Sequence, residues 1–353
     1  MARRPTIHPG PSGAVGRRTL LTGAVAWCAA TGCSNAATTG TKAPAADGTP
    51  AASGSPGPSS SSSPAVSTPP SGGALPAPVF WLPGPGEIQP AAKLAAVRLV
   101  EAFGTWRTGQ GGARRAAARA AALGLPAGLA TRLAAGTGSL TPAADAAVVR
   151  VIDAQYGGIL PDSASVLVVC DQATMTGGTV RHGGTTVDVR LTRTSAGWGV
   201  TALHPAAPGP AVSLGTAARA VLTDSRIQLP PDAAADIRSG AVHSSVLRAM
   251  THLAGTYRIS VSVVRSGHPL DVFGTTRPSD HPRGRAFDVW RINGRPVVDP
   301  ATSRALITAF MRAAAAAGSY NVGGPVQLSG GATPNQFFSD DTHHDHVHIG
   351  FTG

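Results

Sequence analysis

Cysteine is the first scarcity in this chain of 353 residues: there are three. Cys28 lies inside an apolar run near the N-terminus and Cys33 stands at its end, which leaves Cys170 as the one thiol of the remaining chain. An intramolecular disulfide is therefore excluded there, and so is a zinc site built from four cysteines or from two cysteines and two histidines. Any metal must rely on histidine and carboxylate ligands. Cys170 sits in the apolar run Ser165–Cys170 and reads as a small buried hydrophobe. Aromatic residues make up 5% and charged residues 13%, and lysine is nearly absent beside arginine. No apolar stretch reaches the ~18 residues expected of a membrane-spanning helix. Acidic residues are few as well, giving a formal net charge of +11. The positive charge is dispersed, with local concentrations only at Arg114, Arg115 and Arg119 and around Arg277, Arg283 and Arg285. No aromatic residues interleave with it and no nucleic-acid reader motif accompanies it, so a solvated basic surface is expected and nucleic-acid binding is not.

What is abundant is alanine, glycine and, in the first quarter, serine, proline and threonine. Arg17-Arg18 precedes the apolar run Leu20–Ala30, and small residues lead to Cys33. Charged start, short apolar core and small residues are the layout of an export signal. The paired arginines resemble a twin-arginine signal, although a general secretory signal with two arginines reads the same way. Ala30-Thr31-Gly32-Cys33 resembles a bacterial lipobox without its leading leucine, which implies acylation of Cys33. Residues 34–87 lack enough apolar side chains to fold and read as a disordered tether behind a membrane anchor, on the outer face and facing the cell wall. At this length one domain is not expected.

The middle of the chain reads as a small α+β domain over residues 88–205. Leu94, Val97, Leu99, Val100 and Phe103 recur at helical intervals, a second helix is expected over Ala116–Leu123, and strands are expected over Ala147–Tyr156, Ala164–Asp171, Thr185–Arg193 and Gly197–Leu203. Helices followed by a meander faintly resemble the cone-shaped nuclear-transport-factor type. With no paired carboxylates, histidine cluster or phosphate loop, this domain is expected to pack, to position, or to contact a partner that the sequence does not name.

The domain over residues 211–353 holds the chemistry-bearing residues. Helices are expected over Gly215–Leu222 and Ser244–Ala254, then strands over Ile259–Val264, Ala286–Ile292 and Pro296–Val298, the last two joined by the hairpin signal Asn293-Gly294. Asp299-Pro300 is expected to open a helix that Gly318 closes, and a last strand is expected over His346–Phe351. Histidines meet carboxylates at two places, Ser279–Asp288 and His343–His348. Alternation puts His346 and His348 on one face of their strand, and Ala286, Asp288 and Trp290 on one face of theirs. If these faces meet, Asp288 and His348 converge, and His281 folds in from a loop that Gly284 lets turn. Two imidazoles and one carboxylate suit zinc with an open fourth position. Either Asp345 or His346 is then the base.

Ser279-x-His281-x-x-Gly284-x-Ala286-x-Asp288 resembles the Ser-x-His-x-x-Gly-x-Ala-x-Asp motif of the LAS metallopeptidases, zinc D-Ala-D-Ala carboxypeptidases and murein endopeptidases related in fold to hedgehog domains. The resemblance covers about residues 257–353. It implies zinc bound by His281, Asp288 and His348, a substrate contact from Ser279, and hydrolysis of peptidoglycan stem peptides. Asp345-x-x-His348 and His346-x-His348 match two different branches of the family, so the base stays open. Where the family tends to place a substrate-binding arginine after Ser-Gly, this chain has His268, with Arg265 just ahead as the substrate-binding candidate. Carboxypeptidase and endopeptidase action both stay open, as does a non-catalytic, zinc-containing wall-binding or scaffold lipoprotein.

Overall fold

A computed structural model describes residues 73–353; the expected signal, Cys33 and the tether as far as residue 72 lie outside the described residues. The protein is α+β, with mixed and antiparallel sheets. Three helices come first, α1 (Pro90–Gly104), α2 (Ala113–Ala122) and α3 (Ala127–Ala135), followed by the meander β1 (Ala146–Ile159), β2 (Ser163–Thr176), β3 (Thr179–Thr194) and β4 (Gly197–Pro205). These strands form one antiparallel sheet in sequential order. Proline starts α1, where its missing N–H costs nothing, and Ala92, Ala96, Val100 and Phe103 put a buried stripe against the sheet.

The rest of the chain contains α4 (Thr216–Thr223), β5 (Ile227–Gln228), α5 (Pro231–Arg238), α6 (Ser244–Ala254), β6 (Ile259–Val261), β7 (Ala286–Ile292), β8 (Arg295–Pro296), α7 (Arg304–Ala316), β9 (Asn321–Gly323), β10 (Phe337–Phe338) and β11 (Val347–Gly350). Its sheet runs β10-β9-β11-β7-β6-β5, with β8 paired to β7. The β10/β9 and β5/β6 pairs are parallel and the others antiparallel. Phe287, Val289, Val347 and Ile349 join Phe310 and Met311 of α7 and Leu253 of α6 in one core. None of the helices among the described residues is long and apolar enough to cross a membrane.

Residues 73–353 lie within one compact unit. The joint is written into β2. Val166, Val168 and Cys170 face the helices of the first half, whereas Leu167 and Val169 pack with Val263 of the second half. A strand covered on both faces needs apolar residues at every position, which explains the unbroken run Val166–Cys170.

Several expectations change, among them the strands expected over Ile259–Val264 and Pro296–Val298, which are Ile259–Val261 and Arg295–Pro296. The tether ends earlier than residue 87: the Trp81 amide donates to Glu101 (2.8 Å), and Tyr156 Oη donates to the Ile88 and Gln89 carbonyls (2.7 and 3.0 Å). Trp81 packs on the core of the first half and Glu87 pairs with Lys93, while Val79, Phe80 and Leu82 stay exposed, so one apolar anchor and a few polar contacts dock the strap. Asp299-Pro300 does not start a helix. The Asp299 carboxylate accepts the Ala301 amide (2.8 Å) and closes a turn, so α7 begins at Arg304. The expected final strand, His346–Phe351, is one residue shorter at each end, Val347–Gly350.

Candidate metal centre

Asp288 and His348 meet because β7 and β11 are neighbours in one sheet, where His348 is the direct cross-strand partner of Asp288. The convergence expected of two opposed faces is thus achieved within a single face, where paired side chains stand ~5 Å apart. His281 arrives from the loop before β7. That loop turns at Gly284, whose φ is +68° and where a Cβ would lie 2.0 Å from the Ala241 carbonyl oxygen. Only glycine serves there.

The His281 Nδ1–H donates to the Val264 carbonyl (2.9 Å), which leaves Nε2 as the lone-pair atom. Nε2 lies 3.1 Å from Asp288 Oδ1 and 3.1 Å from His348 Nδ1, and the last two atoms are 3.0 Å apart. His281 and Asp288 are fully buried and His348 nearly so. Three electron-pair donors thus form a nearly equilateral triangle. Around zinc, with bonds of about 2.0–2.1 Å, tetrahedral ligand atoms stand about 3.3 Å apart. Donor types and spacing both fit zinc. Burial opposes the charge on Asp288, but the neighbouring His281 and His346 hold its carboxyl well below the usual range. Desolvation is the main reason that the His348 imidazolium is disfavoured, to about 4, so this ligand stays neutral and available.

His346 stands beside the triangle, with Nε2 3.8 Å from Asp288 Oδ2. Its Nδ1 is 2.6 Å from Asp345 Oδ1, and the other Asp345 oxygen accepts the Lys93 ammonium (2.6 Å) and the Tyr156 amide (3.1 Å). Asp345 is buried with both oxygens occupied. Burial would raise its pKa, but Lys93 first and His346 next keep it below the usual carboxylate range. Of the two base candidates, Asp345 orients and His346 has the free ring nitrogen.

The other candidates fall on both sides of the cleft. Ser279 is buried at its edge, its Oγ 3.4 Å from His268 Nδ1. His268 stacks on His281 with ring centroids 4.1 Å apart, and desolvation holds its pKa well below the ordinary histidine value. Arg265 turns away: its guanidinium reaches the Pro208 carbonyl (3.3 Å) and Asp236 (3.7 Å) and lines an adjoining cavity. The cleft over the triangle is about 880 Å³, with Tyr156 and Leu160 contributed by the first half and Phe338 and His343 by the second.

Sequence reasoning missed four residues of the first half and its strap. Gln155 Nε2 on β1 donates to Asp288 Oδ2 (2.6 Å), and the Ser262 hydroxyl holds the Gln155 carbonyl. Lys93 on α1 joins Asp345 to Glu87. Tyr156 supplies its amide and a ring beneath the ammonium. Glu87, His344 and Asp345 group their ligand atoms within 4.8 Å, but the Lys93 ammonium bridges the two carboxylates, so this cluster already has its cation. One signal was available: Lys93 lies within the apolar stripe of Ala92, Ala96 and Val97, where a solvated lysine has no place. The domain expected to be silent about chemistry therefore supplies part of the site. No family model, curated protein or solved structure matches this chain, and its reading rests on motif spacing and geometry.

Proposed function

We propose that the protein is an exported, membrane-tethered zinc peptidase that hydrolyses peptide bonds of peptidoglycan stem peptides. In this reading the second half is a hedgehog-type D,D-peptidase domain, preceded by a nuclear-transport-factor-like domain and by a lipoprotein tether acylated at Cys33. The observation that carries it is the triangle of His281 Nε2, Asp288 Oδ1 and His348 Nδ1 with the His346–Asp345 pair alongside. Zinc held there supplies a Lewis acid and a water acidified towards neutral pH.

The chain's own residues do the rest. Asp345 accepts the His346 Nδ1–H and so leaves Nε2 as the basic atom beside the cleft. Burial disfavours the imidazolium, but Asp288 and then Asp345 outweigh it and raise the His346 pKa above the ordinary histidine value. His346 takes the proton of the attacking water and returns it to the leaving amine. Ser279 and His268 line the cleft, where they can contact a substrate backbone. Lys93, by neutralising Asp345, lets a carboxylate stay ionised in a buried setting.

Incubating the protein with muropeptides and zinc, with products separated by mass spectrometry, tests this. Release of D-alanine identifies a carboxypeptidase, and an internal cut in a stem or cross-link identifies an endopeptidase. Either activity is expected to vanish with His281→Ala and with chelator. Stoichiometric zinc with every muropeptide unchanged overturns catalysis in favour of a wall-binding role for the same cleft.

A further inference from the structure

Asp288 offers its two oxygens to different halves of the molecule. Oδ1 faces the imidazole nitrogens of His281 and His348 at 3.1 and 3.0 Å, while Oδ2 is taken by the Gln155 amide of β1 at 2.6 Å. The amide is itself fixed. Its carbonyl receives the Ser262 hydroxyl, and the Ser262 amide donates to the Asp288 carbonyl (3.0 Å), so the contact closes a ring between β1, the end of β6 and β7. Gln155, Ser262 and Asp288 are all fully buried. A glutamine in that position, with both ends of its amide satisfied, has no freedom to turn.

We infer that Gln155 is a positioning residue for the metal: it restricts Asp288 to a single oxygen towards zinc, so that the N-terminal α+β half builds part of the metal site. The inference rests on the zinc reading above. Its physical content is that a carboxylate with one oxygen held by a buried amide cannot swing to present both. A coordination position on a metal held there would thereby stay available for water and substrate. Partners of this kind, when removed, typically cost about 10–100-fold in metal affinity or activity.

The test uses the exported chain and measures metal rather than turnover. Zinc affinity is read by competition with a chromophoric chelator, and the visible spectrum of the cobalt-substituted protein reports coordination number. Gln155→Leu is expected to lose zinc affinity by about 10–100-fold and to weaken the cobalt bands, as Asp288 turns its second oxygen to the ion. Ser262→Ala, which keeps the amide and frees it to rotate, is expected to move both readouts in the same direction by a smaller factor, and it decides the matter if Gln155→Leu fails to fold. A folded variant with parental zinc affinity and an unchanged cobalt spectrum overturns the inference and leaves the zinc reading standing. A parent protein that binds no zinc overturns both.

Discussion

Asp288, Asp345 and Asp153 are three aspartates within one region, and their neighbours commit them to different work. Asp288 is surrounded by imidazoles and one amide, which suits a ligand. Asp345 is held between Lys93 and His346, which suits an orienting partner. Substituting His346→Ala is expected to lower cleavage by about 10²–10⁴-fold with zinc retained, and Asp345→Asn to lower it through the wrong His346 tautomer. Parallel assays of zinc content and muropeptide cleavage check both. Asp153 follows the opposite rule. Its Oδ2 is shut from solvent without a partner, and desolvation raises its pKa from 3.8 to about 7 despite the Lys93 charge. A carboxyl whose folded pKa is raised stabilises the fold while both states are protonated, and that contribution is lost as pH rises from about 4 to 7. Asp153→Asn is therefore expected to raise stability above pH 7 by about 1–3 kcal/mol and to flatten the decline. Denaturant melts of both proteins across that pH range are the measurement. Asp345, with its depressed pKa, contributes in the other sense: its stabilisation is present above the ordinary carboxylate range and fades in acid.

Elements place these side chains by rules of period and turn. The register that sets His348 opposite Asp288 follows from the alternation of β7 and β11, whose opposite faces bury Phe287, Val289, Val347 and Ile349. Slipping β11 by one residue would put His348 into the core, and slipping β7 would put Asp288 there. The hairpin at Asn293-Gly294 carries φ of +52° and +79° at its two residues, as the sequence signal requires. The loop bearing His281 depends on Gly284, and Gly284→Ala is expected to cost at least ~1–3 kcal/mol of backbone strain and to add a clash with Ala241. A lower melting temperature together with weakened zinc binding would show it; parental values of both would refute the role of this turn. The strand alternation, the hairpin and the glycine turn were legible because each is local, whereas the pairing of β7 with β11 was not. The start of α7 was not, since Asp299 serves a turn as readily as a helix cap, and the competition is decided by where the following chain must go.

Across the described residues the two halves keep separate cores but share a small apolar cluster and the candidate site. Leu167 and Val169 of β2 bury against Val263, while Gln155, Tyr156 and Lys93 reach across to Asp288 and Asp345. A chain of residues 207–353 alone would expose that apolar patch and leave Asp345 and Asp288 without the Lys93, Tyr156 and Gln155 groups that hold them. Residues 73–353 are expected to melt in one cooperative transition, and residues 207–353 alone to be unstable and to bind zinc weakly. Calorimetry of both proteins checks this. Two independent transitions, with full zinc affinity in the shorter chain, would mean that the halves only touch.

The amino-acid order already carries the elements and the ligand types: apolar spacing lays out most helices and strands, cysteine scarcity leaves histidine and carboxylate as ligands, and the spacing of His281, Gly284 and Asp288 points to one loop and one strand. The packing adds that Asp345 is held between Lys93 and His346 while His346 lines the cleft, and that Gln155 and Lys93, more than 130 and 250 positions from the partners they bind, lie at the same place. The reason is physical. Periodicity and turn chemistry act over a few residues and leave a signature at fixed spacing, whereas a buried amide or ammonium finds its partner through the packing of two sheets, which no spacing along the chain records.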